Sequence, residues 1–82
     1  MTGWEEKVKL GTGEKLEYER SGTKGFMGET DIDYYSIKDQ SGVVQGKVQV
    51  SMHIAVKGFR KTITVEQWGS DGKLSLRESW NP

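Results

Sequence analysis

The chain contains no cysteine, which removes disulfides, thiolate metal sites and thiol nucleophiles together. A single histidine, His53, cannot be tied by spacing to any serine. No nucleophile-elbow or other catalytic signature is present either. Only one alanine and four leucines occur, too few of the residues that favour helices over strands. No stretch approaches the roughly 20 apolar residues of a membrane-spanning helix, so no membrane partner is expected. Twelve basic residues cancel twelve acidic ones, so no global field draws in polyanions. These absences argue against an enzyme, a cofactor and a resident metal. Cytoplasmic location is the default reading, and a cysteine-free chain also fits a secreted or virion protein.

What the sequence does contain points to strands. Seven valines, four isoleucines, six threonines and eight aromatic residues are spread over 82 positions, enough for one β domain spanning 1–82. Period-2 alternation dominates. The clearest run places Val44, Gly46, Val48, Val50, Met52, Ile54 and Val56 on one side. Shorter alternations occur at Trp4–Leu10, Leu16–Tyr18, Phe59–Val65 and Leu74–Trp80. Gly-rich turn signals at 11–14, 39–42 and 69–72, with a tighter one at 55–58, separate six candidate strands. Ser21–Thr30 reads as a long connection with three glycines.

Closing the 55–58 turn sets Val50 opposite Ile63 and Val48 opposite Val65, apolar against apolar as a shared face requires. The 69–72 turn sets Val65 against Leu76. The 11–14 turn sets Leu10 against Leu16 and Val8 against Tyr18. The segment 30–38 fits less well, because one continuous register would turn Asp31 and Asp33 inward and Ile32 and Tyr34 outward. A bulge near Tyr34–Tyr35 restores the alternation; the alternative is an outer apolar patch of Ile32 and Tyr34. A flat strand from Val44 to Val56 would span about 43 Å, long against an expected radius of gyration near 12 Å. The chain is therefore expected to be all-β, a six-stranded antiparallel meander curved into a half-barrel or small barrel. The alternative architecture is an open sheet completed by a homodimer.

Three surfaces stand out. Phe26 and Met27 lie between Gly25 and Gly28 in a polar connection, and Trp68 falls on the polar side of its strand. Together they suggest a non-catalytic module that binds a protein partner, a second copy of the chain included. His53, Lys57, Arg60 and Lys61 form a basic patch around a turn; the second half of the chain, 42–82, carries six basic and three acidic residues. That patch suits a single-stranded nucleic acid, although aromatics are not interleaved with it. Lys61 and Glu78 fall on the apolar side near Trp80 and could line the mouth of a small-ligand pocket. Glu29, Asp31 and Asp33 alternate along one strand and could offer oxygens to a hard cation, but no liganding loop or second acidic segment accompanies them, and a solvated strand edge is the preferred reading.

Overall fold

The computed structural model describes residues 3–55, 57–58 and 60–82. A 3-10 turn, Trp4–Lys7, precedes five strands: β1 (Lys15–Lys24), β2 (Thr30–Lys38), β3 (Val44–Ile54), β4 (Lys61–Gly69) and β5 (Leu74–Trp80). They form one antiparallel sheet in chain order, β1-β2-β3-β4-β5. β1 and β5 each pair on one side only, so the meander is open. The expected barrel or half-barrel does not form, and no sixth strand occurs among the described residues.

Both corrections have a physical origin. The segment expected as the first strand lies across the sheet instead of extending it. A single-layer sheet leaves its apolar face wet until something covers it, and Trp4 and Val8, each 9% exposed, provide that cover. The Trp4 and Tyr35 rings sit 4.9 Å apart, and Lys7 Nζ lies 5.0 Å from the centre of the Trp80 ring. Gln67 takes the place of strand pairing. Its side-chain oxygen accepts the Lys9 N–H at 2.9 Å, and its amide donates to the Lys9 carbonyl at 2.7 Å. The chain also does not need to curl to fit β3. Its principal extents are 45 × 23 × 20 Å with a radius of gyration of 13.6 Å, so an eleven-residue strand lies along the long axis.

One face of the sheet, here the covered face, holds Ile37, Val48, Val50, Ile63 and Val65, with Leu16, Tyr35, Met52 and Trp80 packed around them. Ile63 and Val65 are fully buried. The registers differ from expectation by two residues. Val50 pairs Val65 and Met52 pairs Ile63, because the β3–β4 loop runs from Ala55 to Arg60, closed by the Ala55 N–H donating to the Arg60 carbonyl at 2.9 Å. Val65 likewise pairs Glu78. A shift of two preserves side-chain direction, so the face assignments survive. Val56 and Phe59, expected to extend the apolar run and the core, lie outside the described residues.

β2 pairs with β3 without interruption from Thr30 to Ile37, and no bulge occurs at Tyr34–Tyr35. The irregularity sits on β1 instead, where Glu19 is the extra residue between Tyr18 and Arg20. Asp31 and Asp33 therefore stay on the covered face, while Ile32 and Tyr34 point to the opposite, open face. Ile32 is nevertheless buried there, at 3% exposure.

Candidate functional site

The hairpin between β1 and β2 is longer than the sequence suggested. Ser21–Lys24 pair with Thr30–Asp33, and only residues 25–29 form the tip. The tip is a tight turn in which the Gly28 N–H donates to the Gly25 carbonyl at 3.2 Å. Both glycines have left-handed φ, 98° and 69°, a region that bulkier residues adopt only at a cost. The Glu29 carboxylate accepts the Met27 N–H at 2.9 Å. Backbone hydrogen bonds, first from its own N–H and then from that of Met27, hold its pKa below the ordinary carboxylate value. The tip is thus fixed from within, and it carries its two apolar side chains into solvent: Phe26 is 104% exposed and Met27 72%. They do not fold back over the core.

The neighbouring hairpin comes to the same end of the sheet. The Ile54 N–H donates to the Glu29 carbonyl at 2.9 Å, and Thr30 Oγ1 lies 2.7 Å from His53 Nδ1. His53, Lys57, Arg60 and Lys61 are all exposed here, and Lys24, paired with Thr30, joins them. Among the described residues, none of these four Lys and Arg side chains enters an ion pair. Glu29, at the same end, is engaged by the Met27 N–H of its own turn. The turn that carries Phe26 therefore comes to the same end of the sheet as the basic patch.

The second feature lies on the open face, about 20 Å along β3 from that end at roughly 3.3 Å per residue. Four register rows cross this face. The first contains Lys24, Thr30, His53 and Thr62. The next is floored by small side chains, Gly22, Ser51, Thr64 and Ser79, around Ile32. Beyond it run Arg20, Tyr34, Gln49, Glu66 and Arg77, and then Ser36, Lys47 and Trp68. Arg20 lies over the Tyr34 ring, its guanidinium carbon 4.4 Å from the ring centre. Lys47 Nζ contacts Glu19 Oε1 at 2.7 Å, and the Ser36 hydroxyl donates to the same carboxylate. The Lys47 hydrogen bond first, then that from Ser36, lowers the Glu19 pKa. Glu19, Arg20, Tyr34, Lys47, Gln49 and Trp68 line a cleft of about 180 Å³. A second, of about 400 Å³, opens on the far side of Lys47 and Trp68 toward the Gly69–Gly72 turn.

Trp68 was singled out in the sequence; Arg20, Tyr34, Lys47 and Gln49 were not grouped with it. The bulge at Glu19 brings Glu19 and Arg20 both onto the open face, and nothing in the local pattern signals it. The third group, Lys61, Glu78 and Trp80, is spread along the sheet. Lys61 pairs Ile54, Trp80 pairs Ile63 and Glu78 pairs Val65, and no Lys61–Glu78 ion pair occurs among the described residues. On the covered face, Asp31 and Asp33 edge a cleft of about 290 Å³ with Trp4, Val50, Met52 and Ile63. No three His, Cys, Asp or Glu side chains among the described residues are grouped to hold a metal ion.

No family model, no curated protein and no solved structure matches the chain significantly. Among the described residues no helix is long and apolar enough to cross a membrane. The chain is a small all-β domain with aromatic side chains clustered on one face, and its chemistry must be read from these two surfaces.

Proposed function

We propose that the chain is a non-catalytic binding module whose basic end takes a single-stranded nucleic acid. The observation that carries this reading is a bare Phe26 ring on a turn at the same end of the sheet as Lys24, Lys57, Arg60 and Lys61, cations that enter no ion pair among the described residues. Single-strand binders combine these two elements: cations that follow the phosphates and aromatic faces that stack bases without reading sequence. A stacked base is worth about 1–3 kcal/mol, so Phe26→Ala weakens binding by roughly 5- to 150-fold. If all four cations meet phosphates, log K falls with log salt with a slope of about −3, at roughly 0.7 per phosphate for a single strand.

The test is fluorescence anisotropy of a labelled oligothymidylate of about 12 nucleotides at low and moderate salt. Binding that weakens with salt and drops at least tenfold in the Lys57→Glu, Arg60→Glu double variant is expected. Absence of binding at low salt, or affinity indifferent to that charge reversal, rejects the reading.

A second reading keeps the same tip for a protein partner. It is favoured by the adjacent exposure of Phe26 and Met27, two apolar side chains that a partner's pocket could bury at about 1.5–3 kcal/mol each. It predicts that Met27→Ser weakens partner capture about as much as Phe26→Ala, whereas base stacking depends on Phe26 alone. Equal capture by wild type and Met27→Ser counts against it.

A further inference from the structure

No further element packs over the open face of the sheet among the described residues, and one cleft there holds two aromatic rings, Arg20 and the Lys47–Glu19 ion pair. We propose that a strand held at the basic end continues along β3 and stacks a second base in the cleft between Tyr34 and Trp68, where Arg20 meets a phosphate. This inference rests on the nucleic-acid reading of the basic end and adds a second, separate contact to it.

Three observations carry it. The first is continuity, because His53, Ser51, Gln49 and Lys47 follow one another on the same side of β3 and join the basic turn to the cleft without leaving the face. The second is relief. Between the two ends one row of the face is built from the small residues Gly22, Ser51, Thr64 and Ser79 around a buried Ile32. The third is preorganisation. The guanidinium of Arg20 is stacked on Tyr34, so this cation is held at the rim of the cleft before any ligand arrives, while the charge of Lys47 is balanced by Glu19. Preorganised groups lose less freedom on binding. Gln49, lining the cleft beside both rings, offers an amide donor and acceptor to a base edge. Sheet faces that bind single strands stack bases on exposed aromatics in this way.

The distance makes the proposal measurable. At about 3.4 Å per stacked nucleotide, the roughly 20 Å between the Phe26 end and the Trp68 cleft needs about six nucleotides. An oligothymidylate of about four nucleotides can engage one contact, and one of about twelve can engage both. The long probe is expected to bind at least tenfold more tightly than the short one. Trp68→Ala should remove most of that gain while leaving the short probe's affinity unchanged, and Trp68→Phe should restore it by keeping a stacking surface. Circular dichroism and the urea midpoint of each variant establish that it is folded, and Tyr34→Ala supplies an independent loss of the second ring.

Length-independent affinity, or an equal loss at both lengths in Trp68→Ala, overturns the second contact while leaving the basic end standing. A long-probe gain that vanishes in Trp68→Ala but survives Lys57→Glu with Arg60→Glu upholds the face contact and removes the basic end. Neither probe binding overturns both. Capture of a protein but no oligonucleotide by the open face, lost in Trp68→Ala, also overturns the proposal.

Discussion

Gly46 is the position where a single methyl group should be felt most. It pairs with Gly69 across β3 and β4, and a Cβ built there would lie 2.5 Å from the Trp68 carbonyl oxygen and 3.4 Å from Ile37 Cδ1. The first contact is to backbone, which cannot swing aside as a side chain can. Adding a methyl to a packed site costs about 1–3 kcal/mol. Replacing glycine returns about 0.4–1 kcal/mol by narrowing the unfolded ensemble. The net effect of Gly46→Ala is a loss of about 1–2 kcal/mol. A domain of 82 residues holds about 4–12 kcal/mol in all. With a urea m-value near 1 kcal/mol/M, the midpoint should fall by about 1–2 M. Gly22→Ala is the matched control, since its Cβ would meet only Tyr34 Cε2, at 3.9 Å; its midpoint should stay level or rise. If Gly46→Ala melts with the wild type, or both variants fall together, the close approach of β3 to the Trp68 backbone is not what confines position 46 to glycine.

Two further perturbations test the cover and the turns. Gln67→Ala removes both hydrogen bonds to the Lys9 backbone and should cost about 1–3 kcal/mol at about 0.5–1.5 kcal/mol each. Hydrogen exchange at the Lys9 amide should accelerate, and exchange unchanged from wild type would contradict the docking. Asp39 accepts the Val43 N–H, the Gln45 amide and the Ser41 N–H, and these bonds lower its folded-state pKa. A carboxylate whose pKa is lower folded than unfolded stabilises the fold above its unfolded pKa, about 3.9, and that contribution disappears as pH falls through the folded value. Urea midpoints should therefore decline below about pH 4, less steeply in Asp39→Asn; identical pH profiles for the two proteins would show that the turn contributes nothing to acid sensitivity.

The faces of β3, β4 and β5 were legible because a period of two is insensitive to errors of two. By contrast, the expected first strand does not form, and the expected bulge at Tyr34–Tyr35 would have turned Asp31 and Asp33 to the wrong face. Val48, Val50 and Val65 lie on the covered face in the expected register and in the observed one alike. The register itself was hidden in the loops. A six-residue β3–β4 loop replaces the expected four, and irregularities at Tyr18/Arg20, Ile37/Lys38 and Gln67/Trp68 each change the pairing locally. The N-terminal segment was ambiguous for a different reason. Trp4 and Val8 are four residues apart, a spacing that satisfies both alternation and a helical turn, and only the uncovered apolar rows of an open sheet decide between them. Ser21–Lys24 looked like loop because an edge strand needs only backbone hydrogen bonds to pair, and every side chain in that stretch is exposed. The candidate site was legible in pieces. Phe26 and the basic patch were visible separately, but the Ile54–Glu29 hydrogen bond that sets their hairpins side by side is a property of the register.

On the proposed reading, the sheet divides stability and binding between its two faces. Among the described residues, seven of the eight buried apolar side chains belong to the covered-face cluster, Ile32 being the exception. Ile63→Ala should accordingly cost about 2–5 kcal/mol, a large part of the whole. Phe26 makes so little contact with the rest of the chain that its truncation should leave the urea midpoint within about 0.5 kcal/mol of wild type. Binding lost in Phe26→Ala at unchanged stability would therefore report on contact with a ligand and not on the fold. Gly46 is where the two faces meet, because the carbonyl that excludes a methyl from the covered side belongs to the residue that presents the Trp68 ring on the other. Gly46→Ala should thus displace Trp68 as well as destabilise the sheet, and weaken the long oligonucleotide more than the short one even where the protein remains folded. Equal weakening at both lengths would place the effect in the fold alone.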